Sequence, residues 1–169
     1  MVLVKTPAGQ DALKHRHGSL SSRQRSAFIL FDGKRTTGEI LAATAAMGIT
    51  QDDVHAMIAQ GLLALGVREG QRVACLTRHV IETTLLTLAA CKIGAVCMPV
   101  NWRLSADEAT YILANGEARF LLTDAIFATT ARRAAPDGLL ALMATDACEG
   151  LPSFEAWYLA HPATDPGLQ

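Results

Sequence analysis

Over residues 1–63 the apolar stretches are broken by polar, Pro and Gly helix punctuation at short intervals. Thr6-Pro7 is a cap followed by proline at the first helical position; it predicts a helix to about Arg16, stopped by Gly18. Ser21 or Ser22 caps a second helix carrying Ala27, Phe28, Leu30 and Phe31, which Asp32-Gly33 ends. Thr36 with Glu39 three residues on is a capping box for a third helix to Ala46 or Met47, with Gly48 as a left-handed terminator. Thr50 caps a fourth, in which Val54, Met57, Ile58, Leu62 and Leu65 keep the helical period. This half carries almost no strand signal, and its short inter-helix turns suggest a helix-turn-helix arrangement.

From Leu65 the rhythm changes to short apolar runs alternating with longer segments. Strands are expected at Arg72 to Thr77, Ala95 to Val100, Arg119 to Thr123 and Leu139 to Ala144. Between them lie helices from Val80 to Ile93, from the Ser105/Glu108 capping box to Asn115-Gly116, and from Ile126 to Ala134. Such runs separated by helices are the mark of a parallel sheet covered on both faces. The fold class is therefore α/β: a helical, helix-turn-helix-like module over 1–63, then a partial, mostly parallel α/β sheet over 64–169.

Composition narrows this picture. Half of the 169 residues are hydrophobic and the mean hydropathy is +0.23, enough for a core and against disorder. The net charge is −1, divided as +2 over residues 1–63 and −3 over the rest, so no global field draws the chain to nucleic acid or an anionic membrane. No apolar run reaches the roughly 18 residues of a spanning helix, and MVLVKTPAGQ turns polar too early for a signal peptide; no membrane association and a cytoplasmic location are expected. Cys75, Cys91, Cys97 and Cys148 form no CxxC pair, and His15, His17, His55, His79 and His161 form no ligand set, so no metal is expected.

The segments LGVREGQRV, KIGAVCMPVNWRLS, ADEATYILANGEA and ARFLLTD follow one another in order from Leu65 to Asp124. Together they resemble the N-terminal part of the adenylate-forming superfamily, most of all its acyl-CoA synthetase (AMP-dependent synthetase and ligase) branch. A weaker likeness continues through LPSFEAWYLAHPATDP. The resemblance implies an α/β fold of acyl-CoA synthetase type. It also implies a family reaction in which ATP activates a carboxylic acid to an acyl-adenylate that passes to a thiol, with ATP, Mg²⁺ and CoA as cofactors of the full-length family.

That chemistry needs a Ser/Thr/Gly-rich loop for the triphosphate, acidic residues for Mg²⁺ and a charge-stabilising Lys. Here the glycines after residue 64 stand singly and the one lysine of that region is Lys92, so no catalytic or cofactor-binding residue is assigned, and this isolated chain is expected to be inactive and to bind none of the three cofactors. Asn101-Trp102-Arg103, where the second strand leaves the sheet, is the candidate substrate-lining turn, because ligands gather at the carboxyl ends of strands. The bland alternative is that Asn101 and Arg103 fix the turn while Trp102 packs. His79, at the end of the first strand, carries the same two readings.

In the first half Lys5-Thr6-Pro7, Gly9, Leu20, Arg23-Gln24-Arg25, Phe31-Asp32-Gly33 and Arg35-Thr36 are similar to small bacterial winged-helix-like domains. The alternative function is therefore a regulatory or protein-interaction module, with a partner held through the helical part or an exposed sheet edge. Nucleic acid is not expected as that partner, because the candidate recognition helix opens Gln51-Asp52-Asp53 and would repel phosphates. GLLALGV, residues 61–67, reads as a helix shared across the junction.

Overall fold

The computed structural model describes residues 1–15, 20–78 and 80–161, and they form two units, Met1–Gly66 and Val67–Tyr158, with Leu159, Ala160 and His161 belonging to the first. In the first, β1 (Val2–Lys5) is the centre of a three-stranded antiparallel sheet between β2 (Asp32–Thr36) and β3 (Leu63–Leu65). Around it lie α1 (Pro7–His15), α2 (Ser22–Phe28), α3 (Thr37–Ala43) and α4 (Gln51–Ala59). Leu3, Phe28, Phe31, Ile40, Met57, Ile58 and Leu63 are fully buried among them.

The helices stand where their caps place them. Ser21, Thr36 and Thr50 each accept a hydrogen bond from the backbone three residues on, and Gln24, Glu39 and Asp53 answer to the cap N–H. The Thr6 hydroxyl accepts from Gly9 N–H at 3.0 Å and donates to the Gly61 carbonyl at 2.6 Å, tying the start of α1 to the end of α4. Gly48 does take a left-handed φ of 67°, but it closes a separate 3₁₀ turn at Ala45–Met47; α3 itself stops at Ala43, short of the expected Ala46 or Met47. The expected end of the first helix near Arg16 and Gly18 lies outside the described residues.

The three strands correct the purely helical reading of this half. Residues 61–67 do not continue a helix: Gly61 turns at φ 68° and Leu63–Leu65 pairs with β1, Leu3 opposite Leu65 and Lys5 opposite Leu63. Nor does the second helix reach Phe31; it ends at Phe28, and Asp32-Gly33 begins β2. That strand reads Asp-Gly-Lys-Arg-Thr because it is an edge whose charged side chains face water.

In the second unit four strands lie parallel in the order β5-β4-β6-β7: β4 (Arg72–Leu76), β5 (Val96–Pro99), β6 (Ala118–Thr123) and β7 (Ala141–Ala144). They are joined by α5 (Ile81–Lys92), α6 (Ala106–Asn115) and α7 (Ala128–Ala134), and α8 (Phe154–Leu159) follows. From β4 the chain steps out to β5, then crosses back to β6 and on to β7. Right-handed crossovers then put α6 and α7 on one face and α5 on the other. Ala109 and Leu113 of α6 and Ala131 and Ala134 of α7 accordingly pack on Ala74, Leu76 and Leu121. On the opposite face Phe120 meets Phe154 of α8 edge-on at 6.3 Å.

This is the parallel α/β sheet read from the apolar runs. Two helix ends differ in detail: the helix expected from Ile126 begins at Ala128, after a 3₁₀ turn at Ala125–Phe127, and the end of α6 is built differently. Asn115-Gly116 ends α6, but Gly116 keeps φ −77° and Glu117 takes the positive φ of 48°. A Cβ on Gly116 would lie 2.5 Å from Met98 Sδ, so the glycine serves close packing rather than the turn. Arg72 holds the turn, its guanidinium donating to the Gly116 carbonyl and the Glu117 carboxylate.

Candidate functional site at the carboxyl edge of the parallel sheet

The loops leaving β4 and β6 run to opposite faces of the sheet, which makes the gap between these neighbouring strands its topological switch point. Two parallel sequences end there, Leu76-Thr77-Arg78 and Leu122-Thr123-Asp124. Asp124 is 2% exposed. Its Oδ2 accepts from Arg78 backbone N–H at 3.1 Å and Arg78 Nε at 3.3 Å, and Oδ1 accepts from the Thr145 hydroxyl at 3.4 Å. One buried carboxylate therefore joins the exits of β4, β6 and β7. The Thr123 hydroxyl donates to the Leu76 carbonyl at 3.2 Å, and the Thr77 and Thr83 hydroxyls lie 2.7 Å apart, so the buried polar groups along this edge have partners.

At the exit of β5, Asn101 Oδ1 accepts from Arg103 N–H at 3.0 Å and closes a tight turn. Trp102 stacks on Phe127 with centroids 5.9 Å apart, and the Arg103 guanidinium lies 4.5 Å over the Trp102 ring. The turn thus rests on the loop after β6. Asn101 holds backbone, Trp102 packs against the core under α6 and α7, and Arg103 remains exposed on the outer face of the indole. His79 lies outside the described residues. The turn Asn101-Trp102-Arg103 lies at the carboxyl end of β5, one strand away from the switch point. The matched endings of β4 and β6, with opposite charges after the same Leu-Thr pair, were the overlooked signal.

Among the described residues no group of three or more His, Cys, Asp or Glu converges on one point. Asp124 is engaged by Arg78 and Thr145, and the positive-φ glycines Gly70, Gly94, Gly138 and Gly150 each make a separate turn rather than one phosphate-wrapping loop. A cleft of about 660 Å³, lined by Arg72, Thr110, Glu117, Arg119 and Pro136, opens at the amino end of the strands, away from the switch point. Nucleophilic thiol chemistry is disfavoured at Cys75, whose thiol burial and the neighbouring Cys97 push well above its ordinary range.

In the first unit two of the basic side chains, Arg23 and Arg25, are engaged by carbonyls and a carboxylate of the same unit, Arg23 remaining half exposed. Arg23 donates to the Gly48 carbonyl at 2.9 Å and pairs with Asp53 at 3.2 Å; Arg25 donates to the Ala12 and Leu20 carbonyls. The Asp53 carboxyl is held below its usual range, first by the Thr50 backbone N–H, then by Gln24 and Arg23, against the opposing effect of burial. Among the described residues no helix is long and apolar enough to cross a membrane.

Comparison with known proteins agrees with the parallel sheet. The fatty acid–[acyl-carrier-protein] ligase ScoC of Streptomyces coeruleorubidus is 32% identical over 124 residues, which are 70% of this chain and 22% of that ligase. The long-chain-fatty-acid–CoA ligase FadD13 of Mycobacterium tuberculosis is 39% identical over 61 residues, 36% of this chain and 12% of the ligase. Among solved structures, a fatty acyl CoA synthetase of Mycobacterium tuberculosis superposes with a TM-score of 0.56 at 27% identity, covering 68% of this chain and 22% of that one. The chain therefore spans about a fifth of the length of such relatives. The sequence pattern of the AMP-binding enzymes matches residues 52–157, well over half of the chain, and the protein belongs to that family.

Proposed function

We propose that this chain supplies the first β/α layers of an AMP-forming acid–thiol ligase, as a scaffold that does not adenylate an acid by itself. The family reaction is the ATP-dependent activation of a carboxylic acid and its transfer to a thiol such as CoA. The observation that carries the reading is the switch point. Where an open α/β sheet would receive its ligand, the Arg78–Asp124–Thr145 network fills the gap between β4 and β6, and no phosphate loop or cation cluster converges there among the described residues. Asn101, Trp102 and Arg103 act in this reading as a packed turn that shapes the edge of an acyl or pantetheine pocket completed by other layers. An ATP–pyrophosphate exchange assay on residues 1–169 with a panel of carboxylic acids is expected to stay at background. Clear exchange by the pure chain overturns the scaffold reading.

A regulatory role for the first unit is the second reading, with a protein rather than nucleic acid as partner. It is supported by the engagement of Arg23 with Gly48 and Asp53 and of Arg25 with the Ala12 and Leu20 carbonyls, and by the paired carboxylates Asp52 and Asp53 in the first turn of α4, which disfavour a phosphate backbone there. Duplex binding that weakens steeply with salt would reverse that preference.

A further inference from the structure

The ends of α6 and α7 meet the starts of β4 and β6 at the amino edge of the parallel sheet, and there they enclose the cleft of about 660 Å³. That volume falls in the range of small-molecule sites, roughly 300–1,000 Å³. Its walls are largely aliphatic: Ala114 in the last turn of α6, Ala118 at the start of β6, and Ala135 and Pro136 just past α7. Two arginines line it, and their situations differ.

Arg72 is engaged within the fold, its guanidinium donating to the Gly116 and Gly70 carbonyls and pairing with Glu117. Arg119 is half-buried, and its Nε is buried with no hydrogen-bond partner among the described residues. Gly138 makes room for this side chain. With a φ of 79° it turns the chain after α7, and a Cβ there would come within 3.1 Å of Arg119 Nη1. The guanidinium is thereby held against the α7–β7 turn at one wall of the cleft. It keeps its charge at any pH a folded protein meets, and a buried N–H without an acceptor carries a cost that an acceptor in the cleft removes. The Nε–H and the neighbouring Nη–H of a guanidinium form a parallel pair that matches the two oxygens of a carboxylate.

The surrounding charge decides which anion fits. Both helices end at this edge, and their last carbonyls give it a partial negative potential, to which Glu117 and Asp137 add at the rim. This field weighs against a phosphate dianion, because Arg72 is taken by Glu117 and the second charge has no cation to meet. A carboxylate brings one charge in direct contact with the guanidinium, whereas Glu117 and Asp137 are exposed and screened by water.

We propose that this cleft binds a small organic monocarboxylate, with its carboxylate on the Arg119 guanidinium and its short apolar body against Ala114, Ala118, Ala135 and Pro136. The site lies at the opposite end of the strands from the switch point and does not depend on the scaffold reading.

The test titrates the isotope-labelled full chain at neutral pH with butyrate, hexanoate and benzoate, following backbone amide and arginine Nε–H resonances, and repeats the titration with hexanamide, hexylamine and inorganic phosphate. Hexanoate and benzoate are expected to shift the Arg119 Nε–H and the amides of Ala118, Ala135 and Gly138 along a saturable curve, more tightly than butyrate. Hexanamide should bind weaker by about tenfold or more, and so should hexanoate on Arg119→Gln, as expected for loss of a charge-assisted pair. Ala114→Glu, which puts a negative charge on an exposed position of the wall, should also weaken hexanoate, and it carries the test if Arg119→Gln loses its fold. Thr129→Glu, exposed at the far end of α7, should change nothing. Absence of a saturable shift overturns the proposal, as does hexanoate binding that both Arg119→Gln and Ala114→Glu leave intact. Hexanamide binding as tightly as hexanoate would reduce the cleft to an apolar crevice and overturn it too, and phosphate binding more tightly than hexanoate would overturn the monocarboxylate assignment.

Discussion

The two units solve the same problem, covering a small sheet with helices, by opposite means. In the first the sheet is antiparallel, its strands are three to five residues long, and one of them is a charged edge. Its order comes from local devices at the helix ends: capping boxes at Ser21, Thr36 and Thr50, the Thr6 hydroxyl bridging α1 to Gly61, and Asp53 joining α4 to Arg23 and Gln24 of α2. In the second the strands are parallel, and β4 and β6 are buried along most of their length. Its order comes from burial on both faces of the sheet, with a single carboxylate closing the switch point. Both units bury an apolar core; the difference teaches that polar devices at helix ends can fix the elements of a fold whose strands carry little apolar signal, whereas a parallel sheet is fixed by apolar runs buried on both faces.

Substitutions in each unit can break this contrast. The largest effect is expected from Leu121→Ala in β6, fully buried between α6, α7 and the sheet: about 3 kcal/mol for the lost side chain and cavity. Hydrogen exchange should show lost protection in β4–β7 well ahead of β1–β3; equal loss in both sheets would mean that the units are one cooperative body. Next, Gly9→Ala in α1 brings a Cβ to 2.3 Å from the Leu62 carbonyl oxygen and 2.9 Å from Phe28 Cζ. The forced separation of α1 from the chain entering β3 should cost about 2 kcal/mol, read as a lowered denaturation midpoint.

Asp53→Asn tests the polar organisation of the first unit. It replaces the charged partner of Arg23 and weakens the capping box of α4, for about 1–2 kcal/mol at neutral pH. Because the folded carboxyl titrates below its unfolded value of about 3.9, the stability it contributes is fully present above that pH and is lost as pH falls through the folded value. The gap between wild type and Asp53→Asn should therefore be widest above about pH 4 and close on acidification; a gap that does not change with pH would place the effect in packing rather than charge. The smallest effect concerns thiols. Exposed Cys91 should react with a thiol reagent in the native protein, while Cys75, buried and pushed toward the protonated form, should react only on unfolding. Fast modification of both would deny the core under α5 its tightness.

Legibility followed the same division. The helix starts of the first unit were readable because a capping box is a bond between residues three apart in the chain. Its strands were not, because Asp32–Thr36 is an exposed edge with no apolar alternation and Leu63–Leu65 is three residues long, indistinguishable from the end of α4 until Gly61 breaks it. In the second unit Arg72–Leu76 and Ala118–Thr123 announced themselves as apolar runs, and so did the family resemblance carried by the order of segments. The turn at Asn101-Trp102-Arg103 was found as a strand exit, but its neighbours could not be.

What the amino-acid sequence alone determined was every feature set by residues close in the chain: helix caps, apolar strands, the α/β class and the family. What only the tertiary structure decided was which strands lie side by side. The order β5-β4-β6-β7 brings Arg78 to Asp124 across 46 residues and Thr145 to the same carboxylate, and β1 between β2 and β3 makes a sheet from residues up to 62 apart, Leu3 and Leu65. Such pairings depend on where long crossovers land, and that is decided when the apolar faces of whole elements are buried together rather than by any local preference of the residues involved.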